Sequence, residues 1–136
     1  RQDPTSQYSA VIPKFVSRCR EGEAPLINGD GSHSRDFTYI DNVVQANLRA
    51  CSAPSTCAGQ VMNIACGAHV DLNQLAARIR AEVGRGKPAD HGPARAGDVQ
   101  HSLADISKAR ELIGYAPDVD FDEGIRRTVA WYMEHT

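Results

Sequence analysis

The chain has 136 residues, 41% hydrophobic and 24% charged, which suits one globular domain and excludes disordered, fibrous and disulfide-framework classes. Fifteen Lys+Arg against seventeen Asp+Glu leave a net charge of −2, so no global positive field is available for nucleic acid and any anion site must be local. In chain order, residues 7–21 place Tyr8, Val11, Ile12, Phe15, Val16 and Cys19 at three- and four-residue spacings, which predicts a helix ending at Glu21-Gly22. Pro13 fits near its start, where a missing N–H costs least. Leu26-Ile27-Asn28 reads as a short strand and Ser34 to Ile40 as another, with Gly29 and Gly31 supplying the positive φ of the connection.

Asp41 is placed to N-cap a helix through Val43, Val44, Ala46, Asn47 and Leu48 that stops before Pro54. Pro54 to Gly59 is a loop, and Gln60 to Ala65, apolar on both faces, predicts an interior strand. Asp71 caps a helix carrying Leu72, Leu75, Ala76, Ile79 and Val83, with Gly84 at its C-terminal end. Arg85 to Gly97 reads as an irregular surface loop. A short helix over Asp105 to Leu112 closes at Gly114, and a final amphipathic helix over Phe121 to Tyr132 buries Ile125, Val129, Trp131 and Tyr132. The fold class expected is α/β, a small mixed lobe of helices covering short strands.

Few residues offer chemistry. Arg35 follows the glycine turn directly, so its planar fork either grips a phosphate or carboxylate or is a solvated edge residue. Arg95 and Asp98 flank Gly97, where backbone can approach a ligand closely; an arginine for phosphate and an aspartate for a sugar hydroxyl would pair well, and a plain turn would use the same residues. The five histidines lack metal spacing, so no metal is expected, and Asp122-Glu123 read as first-turn charges. Gly29-x-Gly31 does not continue as G-x-G-x-x-G and runs into a strand, which is not a dinucleotide fingerprint. No tyrosine has a lysine four residues later.

Cys19, Cys51, Cys57 and Cys66 form no C-x-x-C pair and mostly lie in apolar patterns, which reads as buried thiols in a reducing compartment. Neither a signal peptide nor a membrane-spanning run is visible, so a cytoplasmic location and no membrane partner are expected. The opening Arg1-Gln2-Asp3-Pro4, without a starter methionine, reads as a piece of a longer protein.

Taken together, Arg1-Gln2-Asp3-Pro4, Ala10-Val11-Ile12-Pro13, Gly29-Asp30-Gly31 with Ser34-Arg35-Asp36-Phe37, Asn63-Ile64-Ala65, Arg95-Ala96-Gly97-Asp98, Asp105-Ile106-Ser107-Lys108-Ala109-Arg110 and Trp131-Tyr132 carry a resemblance. The sequence resembles the C-terminal part of the extended short-chain dehydrogenase/reductase family, the NAD-dependent nucleotide-sugar epimerases and dehydratases, most like the UDP-N-acetylglucosamine 4-epimerase branch. The resemblance implies a substrate-binding lobe over residues 1–136, with the Rossmann half that binds most of the NAD outside this chain. It implies a UDP-sugar substrate, a homodimer formed through that other half, and no turnover by this chain alone, because the family's tyrosine base lies outside it. On the same likeness Arg35 and Arg95 hold the pyrophosphate, Asp98 meets a ribose hydroxyl, and Leu26, Ile27 and Asn28 line the uracil site. Ala10 and Val11 border the substrate, and the small Ser102 beside the sugar leaves room for an N-acetyl group. A dehydratase or decarboxylase of the same family, or a stand-alone UDP-sugar binding module, are the alternative readings.

Overall fold

Apolar residues recurring every three to four positions build the main core. The computed structural model describes residues 11–135. Helix α1 (Val11–Arg20) turns Phe15, Val16 and Cys19 inward, and Pro13 sits in its first turn. Helix α3 (Leu72–Val83) contributes Leu75, Ala76, Ile79 and Val83, and α5 (Phe121–His135), longer than expected, contributes Ile125, Val129 and Tyr132. With Ile27 and Val70 these side chains make one apolar cluster in which α3 packs on both α1 and α5. Burying each large aliphatic side chain contributes about 1.5–3 kcal/mol, so this cluster is the main source of stability.

The ends of α3 follow local chemistry. Asp71 Oδ1 accepts the Gln74 N–H at 2.7 Å while Gln74 Oε1 accepts the Asp71 N–H at 3.1 Å, a reciprocal N-terminal cap. Gly84 closes the helix at φ 73°.

The strands are short. β1 (Leu26–Asn28) pairs in parallel with β4 (Asp90–Gly92), and β2 (Ser34–Arg35) pairs antiparallel with β3 (Val70–Asp71). β4 falls inside the segment expected to be irregular; Asp-His-Gly has no strand preference of its own, and pairing with β1 imposes the extended form. The strand expected to run to Ile40 stops after Arg35, because the Asp36 carboxylate turns aside to the peptide N–H groups of Cys66 and Gly67, at 2.9 Å each. Helix α2 (Ile40–Cys51) is capped by the backbone of Tyr39, and Asp41 is not its cap. Asp41 lies in the first turn and pairs instead with Arg127 at 3.0 Å.

Residues 60–65, expected as an interior strand, join no ladder among the described residues, and Val61 is 83% exposed. The pattern of apolar residues on both faces is present, yet no strand lies beside it. Ala65 instead enters a second cluster with Ala46 of α2, Ile106, Ala109 of α4 (Ser107–Ile113) and Tyr115. Asn42, 1% exposed, ties α2 to the chain beyond α4: its amide donates to Val119 O at 2.7 Å and accepts the N–H groups of Asp118 and Val119 at 3.0 Å each. Of the cysteines only Cys19 is buried; Cys51 is exposed and Cys57 and Cys66 are partly covered. Cys51, five residues past the buried Ala46, points well away from that helix's inner face. No helix among the described residues is long and apolar enough to cross a membrane.

Candidate functional site

The turn from Gly29 to His33 sets the site. Gly31, at φ 79°, is buried against the Asn73 side chain, whose amide occupies the space a Cβ would need. Asn73 Nδ2 donates to Asp30 O at 3.0 Å, and His91 Nε2–H donates to Asn73 Oδ1 at 2.8 Å, so the turn is tied to α3 and β4 at once. Asp30 accepts from the Ser32 hydroxyl at 2.7 Å and the Ser32 N–H at 2.9 Å, which holds its carboxyl below the usual range. A rigid turn delivers β2 in a fixed position.

At β2 the Ser34 N–H donates to Gln100 O at 2.9 Å and Ser34 O accepts the Ser102 N–H at 3.1 Å. This parallel bridge pairs Ser34 with His101, so their side chains share one face; by alternation Arg35 and Ser102 lie on the other. Arg35 is half-buried and lays its guanidinium along the segment, Nη1 donating to Ser34 O at 2.7 Å and Gln100 O at 3.3 Å. On the opposite side the Gly29 N–H donates to Gly92 O at 3.0 Å, and Ala94 lies 3.6 Å from where a Gly29 side chain would begin. Arg95 follows immediately. The segment 93–102 therefore runs from the end of β1 to β2, carrying Arg95, Asp98 and Ser102, all exposed.

Among the residues expected at the uracil, Leu26 and Asn28 are exposed, whereas Ile27 is 1% exposed. Ile27 points into the core because strand side chains alternate, so it offers a ligand only its backbone. Val11 is partly buried against the main cluster, and Ala10 lies outside the described residues. A cavity of about 730 Å³ lies elsewhere, between α1, residues 37–40 and α5, walled by Ile12, Phe37, Phe121 and Trp131; none of the expected site residues among the described residues lines it.

Two features escaped the sequence. The buried Ser34 hydroxyl lies 3.1 Å from His69 Nδ1 and 3.0 Å from His101 Nδ1. One hydroxyl proton serves at most one imidazole, so at least one of the two rings donates its own Nδ1–H to the Ser34 oxygen. Asp36 is the second: burial, and next the Asp36 charge, push the Cys66 thiol up, and burial, Cys66 and Asp36 push up the Tyr115 phenol. Gly29-x-Gly31 leads into β2, so no helix N-terminus follows that turn.

Residues 2–128 match the family model described as GDP-mannose 4,6 dehydratase. The chain belongs to this family. The chain is 35% identical over 132 residues to the UDP-glucose 4-epimerase of Mycolicibacterium smegmatis, covering 97% of this chain and 41% of that protein. It superposes on the UDP-glucose 4-epimerase of Thermotoga maritima solved with UDP-glucose at TM-score 0.89 and 36% identity, covering 98% of this chain and 42% of the other. A UDP-N-acetylglucosamine 4-epimerase of Methanobrevibacter ruminantium, solved with UDP-N-acetylmuramic acid, matches at TM-score 0.89 and 39% identity, covering 100% and 43%. The likeness read from the motifs, to nucleotide-sugar epimerases and dehydratases, is borne out, as is the small mixed α/β lobe. This family member spans about two-fifths of the length of the curated relatives it matches.

Proposed function

We propose that this chain is the nucleotide-sugar-binding portion of an NAD-dependent UDP-sugar 4-epimerase. The observation that carries the reading is the convergence of Arg35, on the face shared with Ser102, with the exposed segment holding Arg95 and Asp98. The ligand is taken from the relatives, whose names give UDP-glucose and UDP-N-acetylglucosamine 4-epimerases.

Arg35 Nη1 donates to two neutral carbonyls. A pyrophosphate would give it charged acceptors, and such bonds are about twice as strong. Arg95 holds the second phosphate, Asp98 the ribose hydroxyl, and Leu26, Asn28 and the Ile27 backbone the edge of the uracil. Ala10, Val11 and Ser102 border the sugar. Firm binding of the nucleotide, remote from the reacting carbon, leaves the sugar free to turn over between two hydride transfers. Nicotinamide chemistry and the tyrosine base belong to the other part of a cytoplasmic homodimeric enzyme.

The test is a titration of the isotope-labelled chain with UDP, followed by amide NMR shifts. Saturable shifts at residues 26–28, 35 and 95–98 are expected, weakened about tenfold or more in Arg35→Ala. A flat response up to millimolar UDP removes the reading. With NAD and UDP-N-acetylglucosamine the chain is expected to form no galacto epimer; its appearance would assign catalysis to these residues.

A further inference from the structure

β2 is two residues long, and a ladder that short cannot fix the place of its own side chains. Anchors on either side must do so. Before Arg35, Ser34 is held by the bridge to His101 and by its hydroxyl between two imidazoles. After Arg35, the next residue is Asp36, whose two carboxylate oxygens each accept one peptide N–H, from Cys66 and Gly67, at 2.9 Å. Those two peptides belong to a stiff corner. The preceding carbonyl, Ala65 O, accepts the buried Tyr115 hydroxyl at 2.8 Å, and Asn42 Nδ2 lies 3.7 Å from Cys66 Sγ. Gly67 takes φ 70°, which favours glycine, and a side chain there would touch Ile106 at ordinary contact distance.

We infer that Asp36 is the positioning residue of Arg35, fixing the exit of β2 to the second core cluster so that the guanidinium stands ready for an anion. The inference rests on the nucleotide reading above for what Arg35 binds, not for where it is held. Both carboxylate oxygens are used, so the geometry demands the charge as well as the shape. Asp36→Asn keeps the shape but sets an NH2 against a peptide N–H, which releases one of the two anchors.

Two readouts separate position from ligand. Without ligand, the Arg35 Nε–H resonance of the labelled chain is expected to move towards a free, solvent-averaged value in Asp36→Asn while the amides of α1 and α5 stay in place. With UDP, Asp36→Asn is expected to bind about ten- to a hundredfold more weakly, matching Arg35→Ala, and the double variant to bind no more weakly than Arg35→Ala alone. Asp36→Glu, which keeps both acceptors on a longer arm, restores part of the loss; if Asp36→Asn does not fold, Asp36→Glu takes its place, with the same direction of shift at Arg35 and a loss of UDP affinity smaller than that of Arg35→Ala expected, and no shift at Arg35 overturning the inference. Additive losses in the double variant overturn the inference, as does an Arg35 resonance unmoved by Asp36→Asn. An Arg35 resonance that moves in a chain that never binds UDP supports the positioning role and sinks the nucleotide reading instead.

Discussion

Ser102 shares the face of Arg35 and is exposed, with a side chain of only two heavy atoms. On the proposed reading, in which Ser102 borders the sugar, Ser102→Tyr in the full-length protein is expected to cut turnover of N-acetylated UDP-sugars roughly ten- to a hundredfold more than that of unsubstituted ones, because a phenol would fill the space beside C2. Comparison of kcat/KM on the two substrates checks this, and equal losses would remove Ser102 as the size gate. At this scale the motifs pointed to Arg35, Arg95 and Asp98 because glycine turns precede or flank them in sequence. The Ser34–His69–His101 cluster left no such mark: its contacts span 35 and 67 residues, and no local period encodes them. Ile27 was legible in principle, since alternation in a three-residue strand sends the middle side chain away from its neighbours.

Elements fixed by neighbouring residues were read well, and elements fixed from afar were not. The Asp71 cap and the Gly84 stop follow from chemistry within one turn, whereas β4 exists only because β1 lies beside it. The first turn of α5 behaves as its acids suggest. Glu123 accepts two bonds from Arg126 and one from Arg127, all at 2.7 Å, and Arg126 first, then Arg127, lowers its carboxyl to about 2 from an ordinary 4.5. The folded value is the lower one, so the stabilisation is complete above about 4.5 and fades as the pH falls towards 2. Thermal melts of Glu123→Gln are expected to fall below wild type at pH 7 and to converge on it as the pH is lowered through about 2. A gap that persists unchanged in acid would mean that the ion pairs are not its cause.

Across the whole molecule, Ile40, Val44 and Leu48 form an apolar stripe at four-residue spacing along α2, exposed by 60%, 47% and 58%. Composition gave no hint of it, since the helix is amphipathic in the ordinary way and shows a second apolar face only once Asn42 and Ala46 are seen to be the buried side. The isolated chain is expected to self-associate through this stripe, and Val44→Asp with Leu48→Asp to weaken association roughly tenfold or more in sedimentation without changing UDP binding. Association that survives both substitutions would place the contact elsewhere. The division of the interior into two clusters has a further consequence for how the molecule breathes. The smaller cluster holds three alanines with Ile106 and Tyr115, and polar links such as Asn42 to Val119 and Asp41 to Arg127 join its half to the larger. Its amides should trade hydrogen for deuterium through partial opening, in α2 and α4 first, while those of α1, α3 and α5 wait for global unfolding. The protein would then have a quiet half bearing the Gly29 turn and β1, and a restless rim, α2 and α4, around the held corner that Asp36 grips.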